Sequence, residues 1–355
     1  MRIDLPPLAR LAALSYDTVI DVRAPAEFAE DRLPGAINLP VLSDAERARV
    51  GTIYVQEAPF KARKIGGALV ARNIAAHLDG PLAGKDGAWR PLVYCWRGGQ
   101  RSGAFALWLR EVGWRVDTLA GGYQSYRRAV VAQLYDHPVP HRIVLLDGDT
   151  GTAKTALLHR VAARGGQIVD LEGLANHRGS VLGIRPGGQP SQKMFESRIS
   201  AALAALDPTR PVLIEAESSK VGNLLVPPAL WKAMRTAPRI QITAQPEERA
   251  RYLCRAYADL FADLPAFQHQ LGLLARIQGH ARVAKWQEMA AEGAFEPLVR
   301  DLIDCHYDSR YRRARQGTPE PALHVTTTLD ADGLDRTADG VCAAMAEIAP
   351  MSVVA

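Results

Sequence analysis

The sequence predicts two consecutive α/β domains, and three observations predict them. The chain has 355 residues, more than the roughly 100–200 residues of a usual single domain. Short, β-branched apolar runs alternate with helix-forming stretches, the pattern of a parallel sheet covered by helices. That alternation breaks once, at AQLYDHPVPH (residues 132–141), where Pro138 and Pro140 follow a helix-like segment and a new apolar run starts directly after. A first domain is therefore expected over residues 1–135 and a second over 136–355.

In the first domain the unalternating runs TVIDV (18–22) and PLVYC (91–95) read as buried parallel strands. Between them EFAEDR is rich in helix formers, and KIGGALVARNIAAHL places Leu69, Ile74 and Leu78 near helical spacing. In the second domain RIVLLDG, QIVDLEG, PVLIEAE and RIQITA read as strands, with TALLHRVAAR and KMFESRISAALAAL as helices among them. From about residue 246 to 315 the chain turns mostly helical.

Composition excludes several classes. With 48% hydrophobic and 23% charged residues, the chain is globular rather than disordered or fibrous. No apolar run approaches the ~18 residues of a membrane span, and the N-terminal MRIDLPPLARLAAL lacks a secretory apolar core and cleavage site, so a cytoplasmic address without a membrane partner is expected. Cys95, Cys254, Cys305 and Cys342 lack paired spacing, which suggests neither a disulfide framework nor a zinc site. A formal charge of +5 is compatible with a polyanionic partner.

Two motifs carry chemistry. CWRGGQRS (95–102) directly follows a strand and precedes a helical run. Backbone N–H groups converging on Cys95, with Arg97 and Arg101 nearby, would stabilise a thiolate and an anionic adduct. The second motif, GDTGTAKT (148–155), follows the strand IVLLD and opens a helix, the context of a phosphate-binding loop. Gly148, Thr150, Gly151 and Thr152 would wrap a phosphate, while Lys154 and Thr155 engage its oxygens and a candidate Mg²⁺. Ala153 stands where the usual motif has its last glycine; a right-handed conformation is expected for it at the helix start.

Further polar residues follow the later strands. Glu215 or Glu217, ending PVLIEAE, could serve a metal, with Asp170 as another candidate. The loop DLEGLANHRGSVLG (170–183) offers Glu172, His177 and Arg178, and GQPSQKMFES (188–197) offers Gln192 and Lys193 to a phosphate or base edge, or as a solvated helix cap. The helical stretch carries Arg249, Arg251, Arg255, Arg276, Arg282, Lys285, Arg310, Arg312, Arg313 and Arg315 among Tyr252, Tyr257, Trp286, Tyr307 and Tyr311. Together these suit a structured RNA.

CWRGGQRS, with DVRAPAEFAEDRLPGAINLP (21–40) and LAGGYQSYRR (119–128), resembles a rhodanese domain, the fold of sulfurtransferases built on a Cys loop. ERARVGTIYVQEAPFKARKIGGALVARNI (46–74) is an insertion that plain rhodaneses lack. Taken with DLEGLANHRGS, QPSQKMFES and EAESSKVGNLLVPPALW, nearly the whole chain resembles the bacterial tRNA 2-selenouridine synthases, a rhodanese domain fused to a P-loop domain. The resemblance implies a transferase acting on tRNA that replaces the sulfur of wobble 2-thiouridine by selenium. It further implies selenophosphate as donor and an S-geranylated intermediate made from geranyl diphosphate, with no tightly bound cofactor. Cys95 corresponds to the family's rhodanese cysteine and Lys154 to its Walker lysine. Whether Cys95 attacks, carries selenium or positions selenophosphate stays open, as does whether the P-loop takes geranyl diphosphate or a nucleotide. The competing reading is a rhodanese-type sulfurtransferase regulated by a nucleotide-binding P-loop domain.

Overall fold

The computed structural model describes residues 1–180, 182–309 and 320–348. They form two compact units: Met1–His137 with Pro190–Ala205, and Pro138–Gln189 with Leu206–Ala355. The segment Pro190–Ala205, read from the sequence as part of the second domain, packs within the first unit.

The first unit is built on a five-stranded parallel sheet. Its strands are β1 (Arg2–Ile3), β2 (Thr18–Asp21), β3 (Ile37–Asn38), β4 (Pro91–Tyr94) and β5 (Asp117–Leu119). Their order is β1-β5-β4-β2-β3, so β4 is central. Every residue of β4 is buried, which explains its unbroken apolar sequence. The helices α1 (Pro25–Glu30), α2 (Asp44–Gln56), α3 (Pro59–Asp79), α4 (Gln100–Val112) and α5 (Gly122–Val131) complete the fold. Ile20, Val93, Phe105, Leu109, Ile74 and Trp114 pack in one apolar core. The insertion forms the helical pair α2 and α3; Ser43 caps α2 by accepting from Glu46 N, and Glu46 answers by accepting from Ser43 N.

The phrase Asp-Val-Arg at the end of β2 has a structural cause. Arg23, 1% exposed, donates from Nη2 to Asp21 Oδ2 at 2.7 Å and to the Asp31 carbonyl at 2.5 Å. Its guanidinium lies 4.0 Å from the Tyr123 ring centroid, and Tyr123 donates its hydroxyl to Asp31 Oδ2 at 2.7 Å. Two buried carboxylates, one guanidinium and a tyrosine thus tie β2, α1 and α5 together.

The second unit holds β6 (Arg142–Gly148), β7 (Gln167–Val169), β8 (Pro211–Glu215), a short antiparallel pair β9 (Lys220–Val221) and β10 (Leu224–Leu225), then β11 (Arg239–Thr243) and β12 (Leu323–Thr326). The five-stranded sheet is parallel in the order β12-β11-β6-β8-β7, again with the motif-bearing strand β6 at its centre. Helix α6 (Lys154–Ala163) follows the phosphate-loop motif, and α7 (Leu171–Leu174) follows β7. Helix α8 (Gln192–Ala204) belongs to the first unit, and α9 (Pro228–Thr236) leads into β11. Residues 246–307 are helical as expected, in α10 (Pro246–Ala256) through α15 (Phe295–Leu302) and a closing turn, around Phe267, Leu271, Trp286 and Leu298. No helix among the described residues is long and apolar enough to cross a membrane.

Replacing Arg23 with Met leaves the Asp21 carboxylate buried without its cation and the Asp31 carbonyl without its donor. It is expected to cost about 3–5 kcal/mol in urea denaturation, whereas Arg97→Met, at an exposed position, should change stability by less than about 0.5 kcal/mol.

Candidate active sites

Cys95 is the first residue beyond β4 and is 3% exposed. The chain turns there through Gly98, at φ +63°, and Gly122 opens α5 at φ +56°. A Cβ on Gly122 would run into the Cys95 carbonyl oxygen, and one on Gly98 into the Leu119 carbonyl oxygen. The two glycines therefore let two backbones cross at contact distance, which no other residue allows. Tyr123 N and Gln124 N, in the first turn of α5, donate to the carbonyls of Cys95 and Trp96 at 2.9 and 3.0 Å, fixing the loop from outside.

Inside the loop the sulfur lies 3.2 Å from Ser102 Oγ. Burial pushes the thiol pKa up. The Ser102 hydroxyl, the N–H groups of Ser102 and Gly99, and the Arg101 guanidinium outweigh it, leaving Cys95 below the ordinary thiol value. Arg101 is held by Glu27 at 2.8 Å. Arg97, expected to share this task, is exposed, so the cation acting on the sulfur is Arg101. Within the CWRGGQRS motif, Ser102 is the residue to which the sequence reading gave no role; its place in the first turn of α4 was the available signal.

The phosphate-loop motif leaves β6 and enters α6. Gly151 has φ +87°, and a Cβ there would press on Leu253 and the Arg249 carbonyl. Lys154 Nζ donates to the carbonyls of Gly148 at 2.6 Å and Asp149 at 3.4 Å, so the ammonium spans the loop. Ala153 corrects the expectation made for it. It is left-handed, at φ 60° and ψ 29°, a conformation costing a non-glycine residue about 1–2 kcal/mol. Its methyl is buried in the apolar core with Leu157 and Ile242, which holds it there.

A cavity of about 270 Å³ opens on this loop, lined by Thr150 to Ala156 and by Glu172, Arg178, Arg185, Glu217, Tyr252 and Tyr257. Arg178 grips Asp259 at 2.7 Å through Nη2 and lies over Tyr257, 4.6 Å from its ring centroid. Among the described residues, its buried Nη1 and the buried Nε of Arg185 have no hydrogen-bond partner. With Lys154 they make a cationic rim suited to a phosphate or diphosphate. Arg185 was not anticipated; nothing in its local sequence separates it from a solvated arginine.

The carboxylates sort differently from expectation. Asp170 caps α7 by accepting from Gly173 N at 2.6 Å, and meets His159 at 3.0 Å. Glu215 accepts from Glu172 N at 2.7 Å and is fully buried, which drives its pKa well above the ordinary value. Glu172 and Glu217 are the carboxyls that line the cavity. Thr155 Oγ1 donates to Glu172 at 2.9 Å. Burial raises Glu172, and burial followed by repulsion from Glu172 pushes Glu217 up to about 8, so that Glu217 holds a proton and donates it to Glu172. Among the described residues no group of three or more His, Cys, Asp and Glu side chains is placed to hold a metal ion. Of the residues named for Mg²⁺, Glu217 lines the cavity, whereas Asp170 and Glu215 accept from backbone N–H groups of α7.

His177 accepts from Gly179 N at 3.1 Å through Nδ1 and shapes the loop rather than lining the cavity. Gln192 and Lys193 lie in the first unit, where Gln192 donates to Glu196 at 2.9 Å and Lys193 pairs with Glu30 at 2.6 Å. Of the basic and aromatic residues read as an RNA face, Arg251, Arg255, Arg276, Arg282 and Lys285 are exposed. Arg249 is not: it is 3% exposed, donates to the Thr150 carbonyl at 2.9 Å and pairs with Asp308 at 2.6 Å, bracing the phosphate loop. Trp286 and Tyr307 are buried, with Trp286 donating to Asp301 at 2.6 Å. Arg310, Tyr311, Arg312, Arg313 and Arg315 lie outside the described residues.

Glu217 titrates near 4.5 when unfolded and near 8 when folded. Between these values the native state keeps a proton that the unfolded chain has released, so stability falls as pH rises through that window. Glu217→Gln should make the decline in melting temperature between about pH 5 and pH 8 shallower and raise the melting temperature at pH 8; an unchanged slope would contradict the burial of this carboxyl.

The comparisons with known proteins follow the same division. Residues 8–129 match the Rhodanese-like domain, and residues 141–281 match the tRNA 2-selenouridine synthase AAA domain. The chain is 34% identical over 357 residues to a protein of Chromohalobacter salexigens named tRNA 2-selenouridine synthase, covering 91% of this chain and 95% of that one. A relative of the same name from Hahella chejuensis is 37% identical, with 84% of this chain and 74% of that one covered. Another, from Aeromonas salmonicida, is 38% identical over 71% of this chain and 68% of its own. With a thiol loop on one central strand, a phosphate loop on the other, and this similarity along nearly its full length, the chain belongs to the tRNA 2-selenouridine synthase family.

Proposed function

We propose that this protein is a tRNA-modifying transferase that converts wobble 2-thiouridine to 2-selenouridine in two steps. The observation that carries the reading is the pairing, in one chain, of a buried low-pKa thiol with a cavity whose cations face a phosphate loop.

In the first step the sulfur of 2-thiouridine attacks C1 of geranyl diphosphate; the C–S bond forms, the C–O bond breaks, diphosphate leaves and the N3 proton of the base passes to water. Lys154, the loop N–H groups, Arg178 and Arg185 supply the charge that stabilises the departing anion. This asks for no nucleotide hydrolysis. In the second step the selenium of selenophosphate adds at C2 of the base, the C–S bond breaks and geranylthiol leaves; water then cleaves the Se–P bond to give phosphate. The Cys95 loop, with the N–H groups of Gly99 and Ser102 and the Arg101 guanidinium, holds the anionic donor or its selenium. The exposed Arg251, Arg255, Arg276, Arg282 and Lys285 are suited to tRNA phosphates. A cytoplasmic setting goes with a tRNA substrate.

The test is sequential. Full-length protein is incubated with 2-thiouridine tRNA, geranyl diphosphate is added, then selenophosphate, and the wobble nucleoside is read by mass spectrometry after each addition. S-geranylation followed by selenium exchange is expected, and a null result at both stages removes the reading. Lys154→Ala should slow geranylation about 100-fold while leaving selenium exchange from pre-geranylated tRNA intact. Cys95→Ser should do the reverse. Thiosulfate-dependent cyanide turnover in the absence of tRNA, with neither modification formed, would favour the sulfurtransferase reading.

A further inference from the structure

A second cavity, of about 600 Å³, lies in the first unit among α2, α3 and α4. It is absent from the site described above except at one edge, where Gln100 and Arg101, in the first turn of α4, border it. That same turn supplies the groups that lower the Cys95 pKa. The walls are mainly apolar: Leu42, Val50, Val55, Val70, Ala62 and Ala104. Tyr54 is 55% exposed and Val55 83%, an unusual price in hydration for one turn of helix. At this size the cavity is in the range of roughly 300–1,000 Å³ that encloses small molecules.

Two glycines side by side in α3 separate packing from binding. Gly66 is accounted for by the protein, since a Cβ there would come within 3.3 Å of Val50. Gly67 is not: a Cβ would meet nothing within 4 Å, and its backbone has no positive φ. Glycine inside a helix weakens it relative to alanine, so Gly67 leaves room on the cavity wall that no protein atom uses. Charge gives the occupant its second property. Arg47, Arg63 and Arg101 border the cavity, and the carboxylate beside them is Glu27, which faces both Arg101 and Arg47. The occupant is therefore apolar along its length and anionic at its end.

We infer that this cavity takes the geranyl chain of the S-geranylated wobble nucleotide while selenium is exchanged at the adjoining Cys95 loop, with Arg47 and Arg63 meeting the RNA phosphates. This rests on the two-step reading above. It assigns to the insertion helices α2 and α3 the recognition of the intermediate: plain 2-thiouridine has no chain to place there, so the cavity distinguishes the alkylated nucleotide, which has a leaving group, from the unalkylated one.

The experiment compares two anticodon stem-loops, one with S-geranyl-2-thiouridine and one with 2-thiouridine, binding to full-length protein by fluorescence anisotropy. Wild type is expected to prefer the geranylated RNA. Gly67→Phe on α3 and Ala104→Trp on α4 fill the cavity from different helices, and each should weaken the geranylated RNA about tenfold or more while leaving the 2-thiouridine RNA unchanged. Each should also slow selenium exchange and spare geranylation. Melting curves identify a variant that has merely unfolded, in which both RNAs are lost; the other variant then decides. An unaltered preference in both folded variants overturns the assignment while the two-step reading stands, whereas a wild type that forms no geranylated product takes down both. Loss of self-association in the variants, with RNA binding unchanged, would instead make the cavity an interface with a second copy and overturn the proposal.

Discussion

Each motif loop of this chain sits where a central parallel strand ends and the backbone must turn, within a few residues, into a helix. Cys95 leaves β4 and Gly148 closes β6, and each of these strands has two neighbours on either side of it in its own sheet. A strand held on both edges fixes where its last residue points. The crevice beyond the carboxyl ends of parallel strands is also where helix N-termini converge, so anion binding comes with the architecture. What remains for the side chains is to set charge.

The two loops set it in opposite ways. Around Cys95 the loop opposes the effect of burial: hydrogen bonds and one guanidinium favour the thiolate although the sulfur is shielded from water. Around the phosphate loop burial prevails, and Glu215 and Glu217 favour their protonated forms beside Lys154. With Glu217 protonated against Glu172, the cavity sets one ammonium and two guanidiniums against a single ionised carboxyl and attracts an anion; both carboxyls ionised would weaken that attraction. The geometric supports are equally unlike. Crossing glycines hold the thiol loop, whereas the phosphate loop is braced by Arg249 and carries a left-handed Ala153 fastened by core packing.

Much of this was legible in the residues. The strands ending in Cys95 and Gly148, the helices that follow them and the helical stretch after residue 246 lie where apolar period and turn chemistry put them, because each is decided by neighbours in sequence. Position 153 shows where that reasoning stops. An alanine at a helix start is free to be right-handed by its own preference, and it is the surrounding core that holds it at positive φ. Trp286 and Tyr307 show the same limit: as letters among arginines they suit base stacking, but an amphipathic helix buries one face, and these rings are on it. The segment Pro190–Ala205 reads as one more helix of the second domain, yet its contacts, Glu196 with Arg127 and Tyr135 among them, are with the first unit.

The sequence by itself determined the two motif-bearing loops, the order of the two α/β units and the backbone freedom that Gly98, Gly122 and Gly151 must provide, since these depend on residue type and short-range connectivity. Only the tertiary structure decided which carboxyls face the phosphate loop, that Arg101 rather than Arg97 acts on the thiol, that Arg249 is a brace, and that α2 and α3 enclose an apolar cavity beside the Cys loop. Those outcomes turn on burial, which removes water from some charges and not others, and burial is a property of distant segments brought together rather than of any stretch of sequence.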